Sequence, residues 1–367
     1  MSSKKDKYSK KDHLYMRLAL DLAKSRHGFT GNNPSVGCVI VKKDKILSIG
    51  RTGILGRPHA EYNAINFANH DLKDSIMYVT LEPCNHYGKT PPCTNLIIKK
   101  GIKKVFYSIN DIDKKVKGKS FKILKSNNII VKTGLLKNDL NTFYEPYLVN
   151  RKKKAPYVTG KIALSKNNLI YNEIKKRITD IYSDKLTHYL RYSNDSILIS
   201  YKTLNIDNPK LNCRIKELNR SPRRVILDNN LDSKKNSFII KSAKKNDTIF
   251  FYNKANKEKI NFFKKKGIKL IKGKINKNYQ FDLKSILRIL YKNGCRNLLV
   301  EGGNELTKSF LHRKLFNQFY SFKSNKKLSK SVEFKEFNSF NLFSKNFKRK
   351  SKINIKFGKD IIYLYKK

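Results

Sequence analysis

MYVTLEPCNHYGKTPPCTNLIIKKG, residues 77–101, decides how this chain is read. It opens on the β-branched and aromatic run MYVTL (77–81), which predicts a strand. It closes on TNLIIKKG (94–101), which predicts a helix stopped by Gly101 just past its last turn. Between them lie Cys84 and Cys93, each directly after a proline. A strand feeding a helix through a polar loop is the unit from which α/β layers are built. The neighbouring segments repeat that alternation. HLYMRLALDLAKSRH (13–27) predicts an amphipathic helix with Leu14, Leu18 and Leu22 along one side. VGCVIV (36–41) and ILSIG (46–50), joined by KKDK, predict a hairpin. HAEYNAINFANH (59–70) predicts a second helix, KKVFYSI (103–109) a strand, FKILKSNN (121–128) a helix and IIVKTGLL (129–136) a strand.

NRKKKAP (150–156) is polar and charged and ends on Pro156. It predicts a boundary, with one domain over 1–149 and another over 150–367. Beyond it the alternation restarts. YVTGKIALS (157–165), DSILIS (195–200), RRVILD (223–228), DTIFFY (247–252) and NLLVE (297–301) read as strands, with helices around 180–192 and near 282–293. From about residue 317 the pattern is divergent and weak, with IIYLY (361–365) as a closing strand.

The chain has 367 residues, long enough for two domains, and 39% are hydrophobic, enough for packed cores. Lys+Arg number 81 and Asp+Glu 28, a net charge of +53. Such a charge suits nucleic acid or an anionic membrane when it is gathered in a patch. Here the lysines are spread along the whole chain beside Asn and Ile, as in KSNNIIVK (125–132), which reads as drift towards AT-rich codons. Against that background, segments that keep Gly, Pro, His or Cys stand out. No run approaches the roughly 18 to 20 apolar residues of a membrane-spanning helix. The basic N-terminus has no apolar stretch behind it, so no export signal is expected. Five cysteines are then expected to be thiols or metal ligands in a cytoplasm.

His59 and Glu61 open the 59–70 helix. One histidine with Cys84 and Cys93 makes three ligands for a tetrahedral Zn²⁺ and leaves the fourth position open, the catalytic rather than the structural arrangement. Zinc lowers the pKa of a bound water towards neutrality. Glu61, two residues past His59, is placed to take the proton from that water and deliver it to a leaving amine. Helix starts at Pro83-Cys84 and at Pro92-Cys93 would aim backbone N–H groups at the sulfurs. A lone H-x-E or a lone cysteine would be ordinary, and a buried cysteine is usually a small hydrophobe. Together and in this order they are the signature of zinc-dependent base deaminases. A purely structural zinc would leave Glu61 idle. Cys38, Cys213 and Cys295 read as plain thiols.

TLEPCNHYGKTPPC (80–93) resembles the deaminase domain of the RibD family of bifunctional riboflavin-biosynthesis proteins. Its long insert between the cysteines differs from the short C-x-x-C of cytidine and tRNA-adenosine deaminases. NNPSVG (32–37), Pro83, Asn110-Asp111 and Gly118 match as well, and the resemblance implies that Asn33 contacts substrate. The insert carries Lys89, His86 and Gly88: a cation, a hydrogen-bonding ring and a flexible turn, which suit a phosphorylated substrate.

LLVEGGNEL (298–306) reads as a strand, two glycines and a helix, a turn that lets backbone approach a phosphate. The resemblance implies a reductase like dihydrofolate reductase, with Val300-Glu301-Gly302-Gly303 at its cofactor site. DNPKLNCR (207–214) is similar to the family's D-D-P-x-L-x-x-R, and Lys161, Ser165, Arg191, Thr203 and RRVILD match too. By the same resemblance Ala163, Thr203, Asp207, Gly303, Asn304, Glu305, Leu306, Thr307, Lys308 and Ser309 face NADPH. Arg191 and Arg214 bind the substrate phosphate, Leu211 lies at the substrate, and Glu301 holds polar groups of the sugar or pyrimidine. The chain departs from the family at three places. S-L-D-G is replaced by Ser165-Lys166-Asn167-Asn168. A Trp-containing segment is replaced around Lys175–Arg177. A late Pro- and Gly-containing segment is missing from SFKSNKKLSK (321–330).

The resemblance therefore implies a cytidine-deaminase-like α/β/α layer domain followed by a dihydrofolate-reductase-like α/β domain. The first would deaminate 2,5-diamino-6-(ribosylamino)-pyrimidinone 5′-phosphate with one Zn²⁺ per chain. The second would reduce the ribosyl group to ribityl with NADPH. The expected partner is that small phosphorylated pyrimidine, with no specific nucleic acid and no membrane, and a homo-oligomer is compatible with the reading. Two alternatives stand beside it: a deaminase with an eroded reductase domain, and a tRNA or nucleoside base deaminase, which +53 would suit. The long insert and the second α/β domain oppose the latter.

Overall fold

The chain divides between Lys153 and Lys154 into two units in the computed structural model, which describes residues 7–88, 90–172, 178–330, 333–354 and 358–367. The first unit runs α1 (Lys10–Lys24), β1 (Gly37–Lys42), β2 (Lys45–Arg51), α2 (Ala60–Asn66), β3 (Ile76–Leu81), α3 (Cys93–Lys99), β4 (Lys104–Ile109), α4 (Lys119–Ser126), β5 (Ile130–Thr133) and α5 (Lys137–Lys153). Its sheet has the order β2-β1-β3-β4-β5. β1 is antiparallel to β2 and β3, and β3, β4 and β5 are parallel. Lys43 and Asp44, both at positive φ, make the hairpin turn, a connection whose twist matches that of the strands it joins.

Successive strand residues pack into two different cores, as strands covered on both faces must. Cys38, Ile40, Met77, Val79, Val105 and Tyr107 face one cluster. Val39, Val41, Tyr78 and Phe106 face the other, with α1. The expected stripe on α1 is displaced. Leu14 is 62% exposed, and the helix buries Tyr15, Met16, Ala19, Leu20 and Ala23 instead. Small residues win because the sheet lies so near: a Cβ on Gly37 would stand 1.9 Å from the Ala19 carbonyl oxygen. α5 goes unread in the sequence. An Asn- and Asp-rich start and the internal Pro146 mask it, and residues 150–153, read as a link, are its last turn. Its Leu140 and Tyr144 are buried in the core.

The second unit runs β6 (Tyr157–Leu164), β7 (Leu169–Asn172), α6 (Ile181–Ser193), β8 (Ser196–Ser200), α7 (Tyr201–Asp207), β9 (Arg223–Leu227), α8 (Phe238–Lys241), β10 (Thr248–Tyr252), α9 (Lys257–Lys265), β11 (Lys269–Lys272), α10 (Leu283–Lys292), β12 (Asn297–Glu301), α11 (Asn304–His312), β13 (Gln318–Lys323), β14 (Phe334–Glu336), α12 (Asn341–Asn346), β15 (Arg349–Ile353) and β16 (Ile361–Lys366). Among the described residues, nine strands form one sheet in the order β11-β10-β9-β8-β12-β6-β13-β16-β15. The ladder is parallel from β11 to β13, and β16 and β15 close it antiparallel. The region past 317 thus continues the sheet. Phe319 and Phe322 on β13 are fully buried, and Phe337, Phe343 and Phe347 join Phe319 in the core. Charged residues between these rings hide their period. β15, RKSKI, is the mostly exposed edge strand, and its lysines discourage pairing with another chain.

Candidate functional sites

His59 precedes α2 in extended backbone, Cys84 lies in the loop after β3, and Cys93 is the first residue of α3. The fold brings these three together. His59 Nδ1 is 3.5 Å from Cys84 Sγ and 3.5 Å from Cys93 Sγ, and the three ligand atoms lie within 4.8 Å of one another. A tetrahedral ion with Zn–S near 2.3 Å and Zn–N near 2.0–2.1 Å sets N and S about 3.5 Å apart, so the residues fit zinc. Only one of the two expected helix starts exists. Cys84 has no helix behind it, but the α3 start donates the Cys93 N–H to Cys84 Sγ at 3.3 Å. The Cys84 thiol is held down to about 4, first by the hydrogen bond of the Cys93 side chain and then by that of His59, against the effect of burial.

Glu61 sits on the first turn of α2, 4% exposed, and burial pushes its carboxyl up to about 7. That range suits a group that accepts and returns a proton near neutral pH. His59, Glu61, Cys84, Asn33 and His86 line one cavity of about 130 Å³. Asn33 Nδ2 donates to the Gly56 carbonyl at 3.0 Å, fastening the 30–33 turn to the 53–57 loop. His86 is not among the three grouped ligands, and its Nδ1 is buried without a partner. Lys89 lies outside the described residues.

Sequence reasoning missed four residues of this cavity. Glu82 is 3% exposed, and its carboxylate accepts the N–H groups of Asp111 (3.2 Å), Gly118 (3.0 Å) and Ser120 (3.2 Å). It holds the 111–120 loop as one wall. Tyr147 and Arg151 come from the unread α5, the Tyr147 hydroxyl donating to Asp111 Oδ1 at 3.0 Å. Arg57 lines the cavity and donates to Thr90 Oγ1 at 2.6 Å. The only signal for Glu82 was its place between Leu81 and Pro83, and for Arg57 its nearness to His59.

In the second unit a cavity of about 690 Å³ opens at the carboxyl ends of β6, β8 and β12, where open α/β sheets take their ligands. It is lined by Ala163, Thr203, Asp207, Leu211, Arg191, Glu301, Gly303, Asn304, Glu305 and Leu306. Thr307, Lys308, Ser309 and Arg214 do not line it. Thr307 is 1% exposed in the core under α11, because the helical turn carries successive residues away from the cavity. Arg191 is not a free phosphate ligand. Its Nε and Nη2 grip Glu301 at 2.9 and 2.8 Å, and its Nη1 donates to the Asn212 carbonyl at 3.3 Å. Burial would raise the Glu301 carboxyl, but Arg191 and Lys161 outweigh it and hold the group below its usual range. Arg214 keeps an exposed guanidinium, with Nη1 donating to Asn212 Oδ1 at 3.0 Å.

A dinucleotide fits this cavity on one observation. Gly303 has an ordinary φ of −68°, and a Cβ there would meet nothing nearer than Ile170 Cδ1 at 4.0 Å. Neither backbone strain nor packing within the chain demands a glycine, so it leaves a cradle facing the cavity. The departure from S-L-D-G also keeps the turn. Asn168 stands at φ 64°, a left-handed conformation that asparagine tolerates. The Asn167 side chain ties Ser165 Oγ (2.8 Å) to the Leu328 carbonyl (2.9 Å). The replaced segment around Lys175–Arg177 lies outside the described residues.

Residues 9–109 match the model of the cytidine and deoxycytidylate deaminase zinc-binding region, and residues 170–322 match that of the RibD C-terminal domain. The riboflavin biosynthesis protein RibD of Aquifex aeolicus is 32% identical over 360 residues, covering 97% of this chain and 98% of that protein. The chain belongs to the RibD family. A diaminohydroxyphosphoribosylamino-pyrimidine deaminase of Buchnera aphidicola is 42% identical over 146 residues, 40% of this chain and 99% of that protein. The solved structure of a diaminohydroxyphosphoribosylaminopyrimidine deaminase/5-amino-6-(5-phosphoribosylamino)uracil reductase from Thermotoga maritima has a TM-score of 0.80 at 29% identity, covering 97% of this chain and 98% of that one. The chain is thus a bifunctional enzyme of riboflavin biosynthesis. It carries a zinc-dependent deaminase unit and, in place of the eroded remnant held open above, a dihydrofolate-reductase-like unit that uses NADPH. No described helix is long and apolar enough to cross a membrane.

Proposed function

We propose that the first unit removes an amino group from 2,5-diamino-6-(ribosylamino)-pyrimidinone 5′-phosphate and that the second reduces the ribosyl group of the product to ribityl. The observation that carries this reading is the three-ligand set with Glu61 buried beside it. His59, Cys84 and Cys93 would hold the zinc, which when bound supplies a water acidic enough to attack near neutral pH. Glu61 accepts a proton and returns it to the departing amine, and its buried setting keeps it poised for both transfers. Asn33 and His86 orient the ring from the cavity walls, with Lys89 of the insert as a candidate for the phosphate.

In the second unit Thr203, Asp207 and Gly303 through Leu306 would hold NADPH, which supplies the hydride. Glu301, fixed by Arg191, presents its carboxylate to the sugar. Arg191 thus acts through Glu301, and Arg214, outside the cavity lining but with an exposed guanidinium, is the cation left for the phosphate. Thr307, buried under α11, supports the turn from behind. The working partner is a small molecule. The lysines are distributed over both units, which speaks against a dedicated nucleic-acid surface. A cytoplasmic setting suits thiol ligands, and a homo-oligomer is compatible with the reading.

The test is to incubate the purified, zinc-loaded protein with the pyrimidinone phosphate, with and without NADPH, and to identify the products. Ammonia release without NADPH and a ribityl product only with it are expected. A substrate left intact under both conditions overturns the reading.

A further inference from the structure

Arg57 is the cation of the zinc cavity that the deaminase chemistry leaves without work. Its neighbourhood holds it firmly: the Gly53 N–H donates to the Pro58 carbonyl at 2.8 Å, closing the loop that carries it. One guanidinium N–H goes to the Thr90 hydroxyl at 2.6 Å, across 33 residues of sequence. No described carboxylate pairs with it within 4.0 Å, whereas the second cation of the cavity, Arg151, lies over the Tyr147 ring at 5.4 Å and within the field of Asp113 and Asp111. Arg151 likewise has no described carboxylate within 4.0 Å, but Tyr147 engages its guanidinium, whereas Arg57 spends one N–H on Thr90 and keeps the rest of its fork of donors. The insert leaves room beside it, since a Cβ on Gly88 would come within 3.3 Å of Arg57 Nη2. On the same cavity His86 holds a buried Nδ1 with no partner. A buried polar atom without a partner and an arginine without a counter-ion are both costs that an anionic, hydrogen-bonding ligand would remove.

We propose that Arg57 binds the phosphate of the deaminase substrate and is the residue that makes this unit prefer a phosphorylated pyrimidine over its dephosphorylated counterpart. The inference rests on the deaminase reading above and adds to it the residue that sets its specificity. A planar guanidinium grips phosphate through two parallel N–H groups, which a lysine cannot do. Thr90 keeps the guanidinium aimed by occupying one edge and leaving the other.

The experiment compares zinc-loaded wild type, Arg57→Ala, Arg57→Lys and Thr90→Val on the phosphorylated pyrimidinone and on the same compound without its phosphate. Arg57→Ala should raise KM for the phosphorylated substrate at least about tenfold, the order expected for a lost charge-assisted pair. Its kcat should stay within about threefold, and kcat/KM for the dephosphorylated compound should be unchanged. Arg57→Lys should recover part of the loss. Thr90→Val keeps the cation but removes its tether, and should weaken the preference for phosphate by only part of the Arg57→Ala loss. Equal losses on both compounds in Arg57→Ala, or loss of that preference in Thr90→Val as complete as in Arg57→Ala, would reduce Arg57 to a loop anchor and overturn the proposal. Wild-type protein that deaminates neither compound would overturn the deaminase reading itself, and Arg57's role with it.

Discussion

The two sites of this chain are built on opposite plans. The zinc site collects chemically rare side chains from three short segments of sequence, with His59, Cys84 and Cys93 spaced over 35 residues and meeting around one point. The reductase cavity collects common side chains from strand ends spread along the chain from residue 161 to residue 301, with Lys161 on β6, Ser200 on β8 and Glu301 on β12. In the first, identity of the residue does the work and the backbone has only to bring three atoms within reach. In the second, the register of a parallel sheet does the work, and Lys161 lies directly opposite Glu301 in the β12–β6 ladder. A site of the first kind should fail through single atoms, and one of the second kind through pairs and surfaces.

The sharpest way to break this comparison is Glu61→Gln. The change keeps shape and removes the proton carrier. Deamination should fall by about 10² to 10⁴, with zinc content by metal analysis unchanged, since Glu61 is not among the grouped ligands. Reduction of separately supplied deaminated substrate should continue, because the second unit holds none of these residues. Near-normal deamination would remove Glu61 from the chemistry. Chelation should act the same way, abolishing deamination and sparing NADPH oxidation.

Next in size is Glu301→Ala. It leaves Arg191, whose side chain is 11% exposed, as a buried charge without its partner. Breaking such a pair costs about 3–5 kcal/mol. NADPH-dependent reduction should be lost, and the second unit should melt earlier while deamination persists at a temperature below that transition. A double change of both Arg191 and Glu301 to apolar residues should restore much of the stability but none of the reduction, which separates holding the fold from holding the sugar.

The same contrast explains what could be read in advance. The metal loop was legible because Cys, His and Pro are scarce against a Lys- and Asn-rich background, and because spacing alone defines the ligand set. The strands and most of the helices around it followed from β-branched runs and turn residues. α5 was not legible, since Pro146 and a polar face disguise a helix whose burial depends on a sheet far off in sequence. Arg57, Tyr147 and Arg151 were missed for the same reason, as nothing local marks a charged or aromatic side chain as facing a cavity. In the reductase unit the resemblance located the segment from 301 to 309 but not where the helix turns away. Thr307 is sequence-adjacent to the cavity and spatially in the core. Arg191 was matched as a cation, and only the geometry reveals that Glu301 already occupies it.

A smaller effect is expected at Gly303. Gly303→Ala places a methyl group in the space facing the cavity without backbone strain, because φ is −68°. Stability should hold or rise slightly, while KM for NADPH rises several-fold and deamination does not move. An unchanged KM would mean that the cofactor does not approach this turn.

The smallest effect concerns Asn168, where the chain departs from the family's glycine. A residue at φ 64° pays for a Cβ in the left-handed region, roughly 1–2 kcal/mol for most side chains and less for asparagine, whose short polar group can bond locally. The Asn168 side chain bonds across the fold instead: its Oδ1 accepts from Lys323 Nζ at 3.1 Å, while its backbone N–H reaches the Ser165 carbonyl at 3.0 Å. Restoring the glycine therefore removes strain and one partly buried hydrogen bond together, and the two nearly cancel. Asn168→Gly should change the midpoint of thermal unfolding of the second unit by no more than about 0.5 kcal/mol equivalent. Asn168→Val, which must hold a β-branched side chain at positive φ, should cost about 1–3 kcal/mol and weaken reduction by loosening the turn that follows β6. If valine were tolerated as well as glycine, the left-handed turn would not be what preserves the reductase across this departure. Its persistence would then rest on Asn167, whose side chain already joins Ser165 to the backbone of Leu328.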